Sequence, residues 1–314
     1  MQSYILPALL WLIAFLVALF AWPVRDLSPR TRGFILVPLC AVIFAIPFFA
    51  PAAPVAAKIA VALTCPLFAG KLLDAHLGAS AWRGRPFLEW PVYLLNPFVL
   101  VHRRHLLERP RPKAASARIL ARGLLEVGAG LGLLLWSFGA DLGQYAFWLD
   151  HLVKLLAAYL FAFDGMFLTV TGGLRLLRCP VIDHSRDPIL AVTPADFWRR
   201  YNRDAGRFLY EDVFKPLGGL RVPRRGIVLT FLVNGLLHEY LAAVVIGRVT
   251  GYMMAFFGLH ALAVAVTFRW RPRGAAALAG WAATLAFLAT TSVLFFRVID
   301  LIVPWYDSPL PLSG

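Results

Sequence analysis

An all-α, multi-pass integral membrane protein is the fold class that the sequence predicts, and three observations support it. Of the 314 residues, 60% are hydrophobic, and the mean hydropathy is +0.71. Several apolar runs approach or exceed the ~18–20 residues that a helix needs to cross a bilayer. The 31 Lys and Arg residues lie mainly between these runs, as in the cytoplasmic loops of membrane proteins. Because an unpaired backbone group has no water partner in hydrocarbon, each span must be helical.

The hydropathy pattern predicts eight spans in one membrane-embedded domain that covers residues 1–314. We place these spans at about 4–22, 33–50, 55–77, 119–138, 148–172, 226–246, 251–268 and 276–297. The segment 87–101 is apolar but short, and it contains Glu89 and two prolines. We therefore predict that it is a re-entrant or interfacial piece, which places the large basic clusters together on the cytoplasmic side.

Composition excludes several classes of protein. A net charge of +14 would suggest nucleic-acid binding in a soluble protein, but here membrane topology accounts for it. Anionic lipid headgroups or a phosphate-bearing substrate are the functional alternatives. The three cysteines show neither a disulfide framework nor the spacing of a metal site. Arginine supplies 26 of the 31 basic residues, which suggests a GC-rich genome and a bacterial inner membrane as the location.

Three glycines alternate within the fourth predicted span, at Gly128, Gly130 and Gly132. A nucleotide-binding loop would need a strand before it, and the pattern predicts none. We therefore expect these glycines to allow close packing between helices.

A basic, aromatic-rich segment precedes the sixth span. Thr193 is a good N-cap and Pro194 suits the first helical position, so we predict a cytoplasmic amphipathic helix from there to about Phe214. Pro216 and the pair Gly218–Gly219 should end it.

The two faces of this predicted helix differ. Arg199, Arg203 and Arg207 form a row at helical spacing on one face. Asn202 shares the other face with Trp198, and a buried amide without partners costs about 1–3 kcal/mol. Asn202 is thus a candidate for holding a polar group of a substrate. A simple interfacial anchor is the alternative interpretation of the helix.

His238 and Glu239 lie inside the sixth predicted span, in NGLLHEYLAAVV. At ~1.5 Å per residue, His238 lies roughly 18 Å from the start of the span near Gly226, close to the middle of a ~30 Å core. Asn234 lies one turn earlier on the same face. Ionisable groups at this depth need a partner or a function. Neutral imidazole can act as a general base near neutral pH, whereas a structural histidine bonded between helices is the alternative.

The motif DFWRRYN followed by KPLGG, and then NGLLHEY, resembles the signature of the membrane-bound O-acyltransferase superfamily. The motifs cover about 193–240, and the HEY triplet is most similar to the sterol, diacylglycerol and wax-ester-forming branches. The PLGG end is similar to the polysaccharide acetyltransferases. Tyr201 stands where a Trp is usual, and Asn202 matches the branch that has Asn rather than His.

This resemblance implies the family's many-helix fold and transfer of an acyl group from acyl-CoA to the hydroxyl of a lipid alcohol. Acyl-CoA would be a co-substrate, with no cofactor and no metal. The resemblance implies that His238 is the base and that Asn202 positions or polarises the acyl group. The residues implied for binding the substrates, with the basic ones at a cytoplasmic entrance, are Trp198, Arg199, Arg203, Arg207, Lys215, Asn234 and Glu239.

Two other functions stay open at this point. The same chemistry could use a short acyl group, such as acetyl, on a polysaccharide or natural product. Alternatively, the chain could be a transporter in which Asp164, Glu126 and Glu239 form an ion path.

Overall fold

The computed structural model describes residues 2–102, 112–179 and 181–306, and within these ranges every regular element is helical. Its α-helices are α1 (Gln2–Phe20), α2 (Pro29–Ala45), α3 (Val55–Leu77), α4 (Ala79–Trp82), α5 (Glu89–Leu95), α6 (Lys113–Gly139), α7 (Phe147–Ala158), α8 (Met166–Leu176), α9 (Pro194–Arg200), α10 (Arg203–Phe208), α11 (Pro223–Ile246), α12 (Tyr252–Thr267) and α13 (Ala275–Asp300). Wider π-type turns lie at Tyr159–Gly165, which joins α7 to α8, and at Leu209–Phe214.

The multi-pass all-α class is confirmed. Among the described residues, seven helical segments are long and apolar enough to cross a membrane, and α7 and α8 together form one of them, Phe147–Leu176. The seventh predicted span, at 251–268, is α12, whose 16 residues rise about 24 Å. This helix is shorter than the ~30 Å core. It begins only at Tyr252, where the side chain of Glu239 from the neighbouring span accepts hydrogen bonds from its first backbone N–H groups.

The prediction of a non-spanning segment at 87–101 is also confirmed. Helix α5 ends at Leu95, and the chain then runs without regular structure to the buried Val101. The fully buried ammonium of Lys71 in α3 donates to the backbone oxygens of Tyr93, Leu94 (3.0 Å) and Asn96 (2.6 Å). A cation at this position satisfies carbonyl groups that the short helix leaves unpaired.

The predicted amphipathic helix at 193–214 is wrong in its middle. Its start is confirmed, because Thr193 Oγ1 accepts from the N–H of Asp196 at 3.0 Å. At Asn202, however, the backbone is left-handed with φ of 39°, so the helix divides into α9 and α10. The predicted end is confirmed, since Gly218 has φ of 111°, which L-residues rarely adopt.

Glycines allow close packing of α6 against the α7–α8 span, although not all of the predicted ones do so. A Cβ on Gly130 would collide with the backbone of Phe161 and Ala157, whereas Gly128 and Gly132 have nothing within 4 Å of such an atom. Only Gly130 of the alternating series therefore performs the predicted role.

The last three helices determine where a site can form. Helix α11 packs on α12, α12 packs on α13, and α9 lies against α12. The segment with the FW motif is thereby held beside the span that carries His238. The FW motif on α9 and His238 on α11 are thus brought to the same region of the fold.

Candidate active site

A cavity of about 390 Å³ lies between α7, the pair α9 and α10, α11, α12 and α13. This volume is within the ~300–1,000 Å³ of typical small-molecule sites. Most of its wall is apolar. The lining residues are Leu152, Leu155, Leu156, Tyr159, Phe163, Ile189, Phe197, Trp198, Tyr201, Asn202, Ala205, Gly206, Leu209, Asn234, His238, Phe256, Phe257, Leu285, Leu288, Ala289, Ser292, Phe295 and Phe296.

Two lining residues on α7 are also partly exposed on the surface of the protein. Leu152 and Leu156 line the cavity and yet are 47% and 44% exposed. Both residues belong to a span long and apolar enough to cross the membrane. On this side, the cavity wall is therefore also part of the apolar surface of the protein.

His238 lies half-buried in the cavity wall, and its hydrogen bonding defines its tautomer. The Nδ1 atom is 2.9 Å from the backbone oxygen of Asn234. A carbonyl oxygen can only accept, so Nδ1 carries the proton and Nε2 keeps a lone pair in the neutral ring. Among the described residues, Nε2 makes no hydrogen bond. The ring is held from the other side by Phe257, at 4.6 Å between centroids.

Asn202 lies in the same wall, at the break between α9 and α10. Its Oδ1 accepts from the N–H of Ala205 at 3.4 Å, so the side chain caps α10. Asn tolerates the left-handed backbone better than most residues, which explains why it occupies this position. The cap uses only the oxygen. No hydrogen bond within the described ranges uses the amide NH₂, so this group can donate to a substrate oxygen.

Trp198 and Asn234, which were predicted to bind substrate, also line the cavity. The indole of Trp198 packs edge-on against Tyr201 and donates a hydrogen bond from Nε1 to His260. Burial raises the pKa of Tyr201, so its phenol stays neutral beside the cavity. Asn234 acts on His238 through its backbone oxygen. The structure thus brings together four of the predicted site residues.

The four predicted basic residues do not line the cavity. The break at Asn202 also removes the continuous row that Arg199, Arg203 and Arg207 were predicted to form, because that row needs one uninterrupted helix. Arg199 pairs with Asp196 at 3.4 Å, and Arg203 donates to the backbone oxygen of Asp183 at 2.9 Å.

Lys215 lies beyond the second π-type turn and pairs with Glu211 at 2.7 Å. Arg207 is half-buried on α10. A cation that already has a carboxylate partner can still attract a phosphate, but it forms no wall of the site. The predicted basic entrance is therefore a charged surface near the cavity rather than part of its lining.

Glu239 was predicted to bind substrate, and its position corrects that assignment. Both carboxylate oxygens accept hydrogen bonds at the start of α12: one from the N–H groups of Thr250 and Gly251 (2.7 Å) and the Thr250 hydroxyl (2.9 Å), the other from the N–H of Met253 (3.1 Å). Successive residues on a helix point about 100° apart, so Glu239 faces away from the cavity that His238 faces. Its carboxylate stabilises a helix N-terminus.

Replacing Glu239 by Gln is expected to destabilise the fold without touching the cavity. The new NH₂ group would face backbone donors, and an unsatisfied buried group costs about 1–3 kcal/mol. We expect a lower thermal unfolding midpoint for the purified protein. The matched control is Asp26→Asn, because Asp26 is a 61% exposed carboxylate in a surface pair. Equal midpoints for Glu239→Gln and the wild type would refute the capping role.

The acids proposed for an ion path do not lie along one route. Asp164 and Glu126 both bind Arg122, at 3.2 and 2.7 Å. Glu239 caps α12 on a different span. A pathway for ions needs groups in sequence along a channel, and these three carboxylates bind fixed partners instead. This arrangement disfavours the transporter hypothesis.

The sequence interpretation missed two buried polar groups next to the cavity. His260 on α12 bonds Trp198, and His151 on α7 donates to the backbone oxygen of Ala289 at 2.9 Å, beside Ser292 in the cavity wall. His260 is the one His, Asp, Glu, Lys or Arg residue of α12, whereas His151 lies between Asp150 and Lys154 on α7. Their place inside apolar spans is the signal that could have identified both, since polar residues in spans face the protein interior.

Comparison with known proteins finds a matching family and similar proteins. Residues 131–298, more than half of the chain, match the model of MBOAT, the membrane-bound O-acyltransferase family. The chain is 29% identical over 201 residues to the probable long-chain-alcohol O-fatty-acyltransferase 2 of Arabidopsis thaliana, a match that covers 59% of this chain and 57% of that protein. It is 34% identical over 84 residues to the peptidoglycan O-acetyltransferase of Helicobacter pylori, covering 25% of this chain and 14% of that protein.

The matches therefore span little more than half of one relative and a small part of the other. The family match, by contrast, includes both His238 and Asn202 and every residue that lines the cavity. Because this match covers more than half of the residues and all of the site, the chain belongs to the membrane-bound O-acyltransferase family.

Proposed function

We propose that the protein transfers a fatty acyl group from acyl-CoA to the hydroxyl of a lipid alcohol, as in wax ester synthesis. One observation carries the proposal: His238 and Asn202, a free imidazole nitrogen and a free amide donor, line one apolar cavity. Acyl transfer to an alcohol requires a base for the hydroxyl proton and a donor for the developing oxyanion. The two residues are suited to these two roles.

In the proposed reaction, Nε2 of His238 accepts the proton of the alcohol hydroxyl. The alcohol oxygen bonds to the thioester carbon, whose oxygen takes up negative charge and receives a hydrogen bond from the Asn202 amide. The carbon–sulfur bond then breaks, and the imidazolium returns its proton to the thiolate of the leaving CoA. The Asn234 carbonyl keeps the imidazole oriented throughout, because it holds the Nδ1 proton.

The shape of the wall favours a long acyl chain over an acetyl group. Along α13 the lining residues extend from Leu285 to Phe296, a rise of about 16 Å. An extended chain advances ~1.2 Å per bond, because three peptide backbone bonds span at most ~3.6 Å, so this wall matches about 13 bonds. Each buried methylene contributes about 0.8 kcal/mol. An acetyl group would leave most of this apolar wall unused.

The donor headgroup would stay at the cytoplasmic side, where Arg199 lies beside the cavity-lining Trp198. Burial and the positive charge of Arg271 lower the pKa of Arg199, so Arg271 also contributes to the positive potential there. Guanidinium groups bind phosphates bidentately. Arg203, Arg207 and Lys215 add positive charge in the same region, and none of them needs to enter the cavity. The proposed location, a bacterial inner membrane, rests on arginine usage alone.

The test is acyl transfer by the purified protein with a panel of acyl-CoA donors, from acetyl to long-chain, each given with a fatty alcohol, a diacylglycerol or a peptidoglycan fragment. We expect ester formation with long-chain donors and lipid alcohols. Transfer of acetyl alone would favour the second candidate function, an acetyltransferase. The similarity to the peptidoglycan O-acetyltransferase supports this candidate. If none of the donors in the panel supports transfer, both candidate functions are refuted.

Replacing Ala289 by Leu is expected to shift the donor preference toward shorter chains. Ala289 lines the cavity on α13, and a larger side chain there removes room for methylenes. A misfit of this size changes discrimination by about tenfold or more. The measurement is the ratio of kcat/KM for long-chain and short-chain donors. The matched control is Ala286→Leu, because Ala286 is exposed on the same helix and does not line the cavity. An unchanged ratio for Ala289→Leu would place the acyl chain elsewhere.

A further inference from the structure

A chain of hydrogen bonds next to the cavity joins three helices. The indole Nε1 of Trp198 on α9 donates to Nδ1 of His260 on α12 at 2.9 Å. The Nε2 of that ring is 3.0 Å from Oγ1 of Thr291 on α13, and the Thr291 hydroxyl donates to the backbone oxygen of Phe287 at 2.8 Å. His260 is fully buried and does not line the cavity. It has no access to a substrate there.

The direction of every bond in this chain is determined. An indole N–H can only donate, so Nδ1 of His260 must supply a lone pair, and its proton must lie on Nε2. The Nε2–H then donates to Thr291, whose own proton has the carbonyl of Phe287 at 2.8 Å and that of Leu288 at 3.4 Å as acceptors. The ring of His260 therefore has one tautomer in this network. Such a network holds its members in one geometry, because any change leaves a buried group unpaired.

This network lies between the two residues of the proposed reaction. The ring of Trp198 packs against Phe257 at 5.9 Å, and Phe257 packs against His238 at 4.6 Å. On its other side, Trp198 packs against Tyr201 at 5.9 Å, next to Asn202 in the chain. The position of the indole therefore affects both walls of the site.

Besides the packing of Trp198 on Phe257, two hydrogen bonds between described residues attach α9 to α12. At its start, the N–H of Ala195 donates to Oγ1 of Thr267 at 3.3 Å, near the end of α12. Nearer to the cavity, the hydrogen bond from Trp198 to His260 also holds α9 against α12. A seven-residue helix that is released at its cavity end can tilt, and Asn202 follows only two residues after it.

We infer that His260 is a positioning residue, which holds Trp198 and thereby sets the place of the Asn202 amide relative to the His238 imidazole. The inference rests on the proposed function, because the distance between these two groups matters only if they act on one substrate. A displacement of about 1 Å can reduce the rate ~10²-fold. The effect belongs mainly in kcat, since the apolar wall along α13 that the proposed function assigns to the acyl chain stays in place.

The first test compares His260→Leu and Thr291→Val with Thr284→Val. Thr284 is also buried on α13 and donates to its own helix, at Gly280, but does not touch His260. We expect kcat to fall about 10- to 100-fold in His260→Leu and less in Thr291→Val, with KM for donor and alcohol within about twofold of the wild type. Thr284→Val should match the wild type. Equal kcat in His260→Leu and the wild type, or a fall shared by Thr284→Val, would overturn the inference.

The second test asks whether the bond to Trp198 carries the effect. In His260→Asn the side-chain oxygen takes the place of Nδ1, so most of the activity should return. The double variant Trp198→Phe with His260→Leu removes both partners, and its kcat should equal that of the slower single variant. Multiplied losses in the double variant would mean that the two residues act independently, and the inference would then be wrong.

Hydrogen exchange gives a readout that does not depend on activity. Amides at 195–202 should exchange faster in His260→Leu than in the wild type or in Thr284→Val, without any substrate. A wild-type protein that transfers no acyl group would refute the proposed function. Unchanged exchange at 195–202 in His260→Leu would refute the positioning role by itself. The two failures are thus distinguishable.

Discussion

Replacing His238 by Ala is expected to reduce acyl transfer by about 10²–10⁴-fold, the range that general base catalysis contributes. The Nε2 atom of this imidazole carries a lone pair that has no hydrogen-bond partner among the described residues. Alanine removes the acceptor for the alcohol proton and leaves the apolar wall in place. The loss should therefore appear in kcat. The measurement is the rate of ester formation from labelled long-chain acyl-CoA and a fatty alcohol by purified protein at saturating substrate.

The control for this variant lies on the same helix. Leu236 is 59% exposed on the outer face of α11, so Leu236→Ala should keep the wild-type rate. His238→Gln adds a second comparison, because an amide can occupy the space of the ring without accepting a proton at neutral pH. We expect it to be as inactive as His238→Ala. A His238→Ala protein that transfers label as fast as the wild type, at equal amounts of folded protein, would exclude His238 as the base.

Replacing Asn202 by Asp is expected to reduce kcat by about 10²–10³-fold, as the loss of one oxyanion donor does. The variant separates two functions of the side chain. Its oxygen caps α10 by accepting from Ala205, and Asp can do the same and also tolerates the left-handed backbone. In the proposed reaction its NH₂ donates to the oxyanion, and Asp cannot replace that group. A negative charge at this place would also oppose the developing oxyanion.

The comparison variant for Asn202 is Gly, which keeps the backbone conformation but loses both the cap and the donor. We expect Asn202→Gly to lose activity as Asn202→Asp does. Its unfolding midpoint should fall by little, because Gly at a cap costs only a few tenths of a kcal/mol. Wild-type kcat in Asn202→Asp would show that the residue is a cap and nothing more. Activity lost in Asn202→Gly but kept in Asn202→Asp would lead to the same conclusion.

The sequence predicted the pair His238 and Asn202, although it misplaced their supports. Glu239 follows His238 directly, and adjacency suggested a shared site. In the structure the two side chains point to different neighbours, and Glu239 serves α12. Likewise, Arg203 shares a segment with Asn202 but bonds the backbone of Asp183. Sequence proximity indicates which residues lie on one element, whereas the face that each one presents depends on the partner helix.

The helix predicted at 193–214 shows the same limit. Residues on both sides of Asn202 follow helical spacing, and the local pattern contains no proline or glycine at the break. The left-handed turn is stabilised by contacts that arise only on folding, among them the bond from Arg203 N–H to the backbone oxygen of His184. The free energy of one unusual backbone angle is small enough for such contacts to offset.

The amino-acid sequence by itself determined the all-α class, most spans and the non-spanning segment, and its resemblance to a family suggested the two polar residues of the proposed reaction. Hydropathy and helical period depend on neighbours within a few turns, so they can be recognised from local patterns. The tertiary structure alone decided that Asn202 breaks its helix, that Glu239 caps α12, that Phe257 packs on His238 and that His260 bonds Trp198. These features depend on which helix lies opposite a given side chain, and residues far apart in the chain meet only when the helices pack.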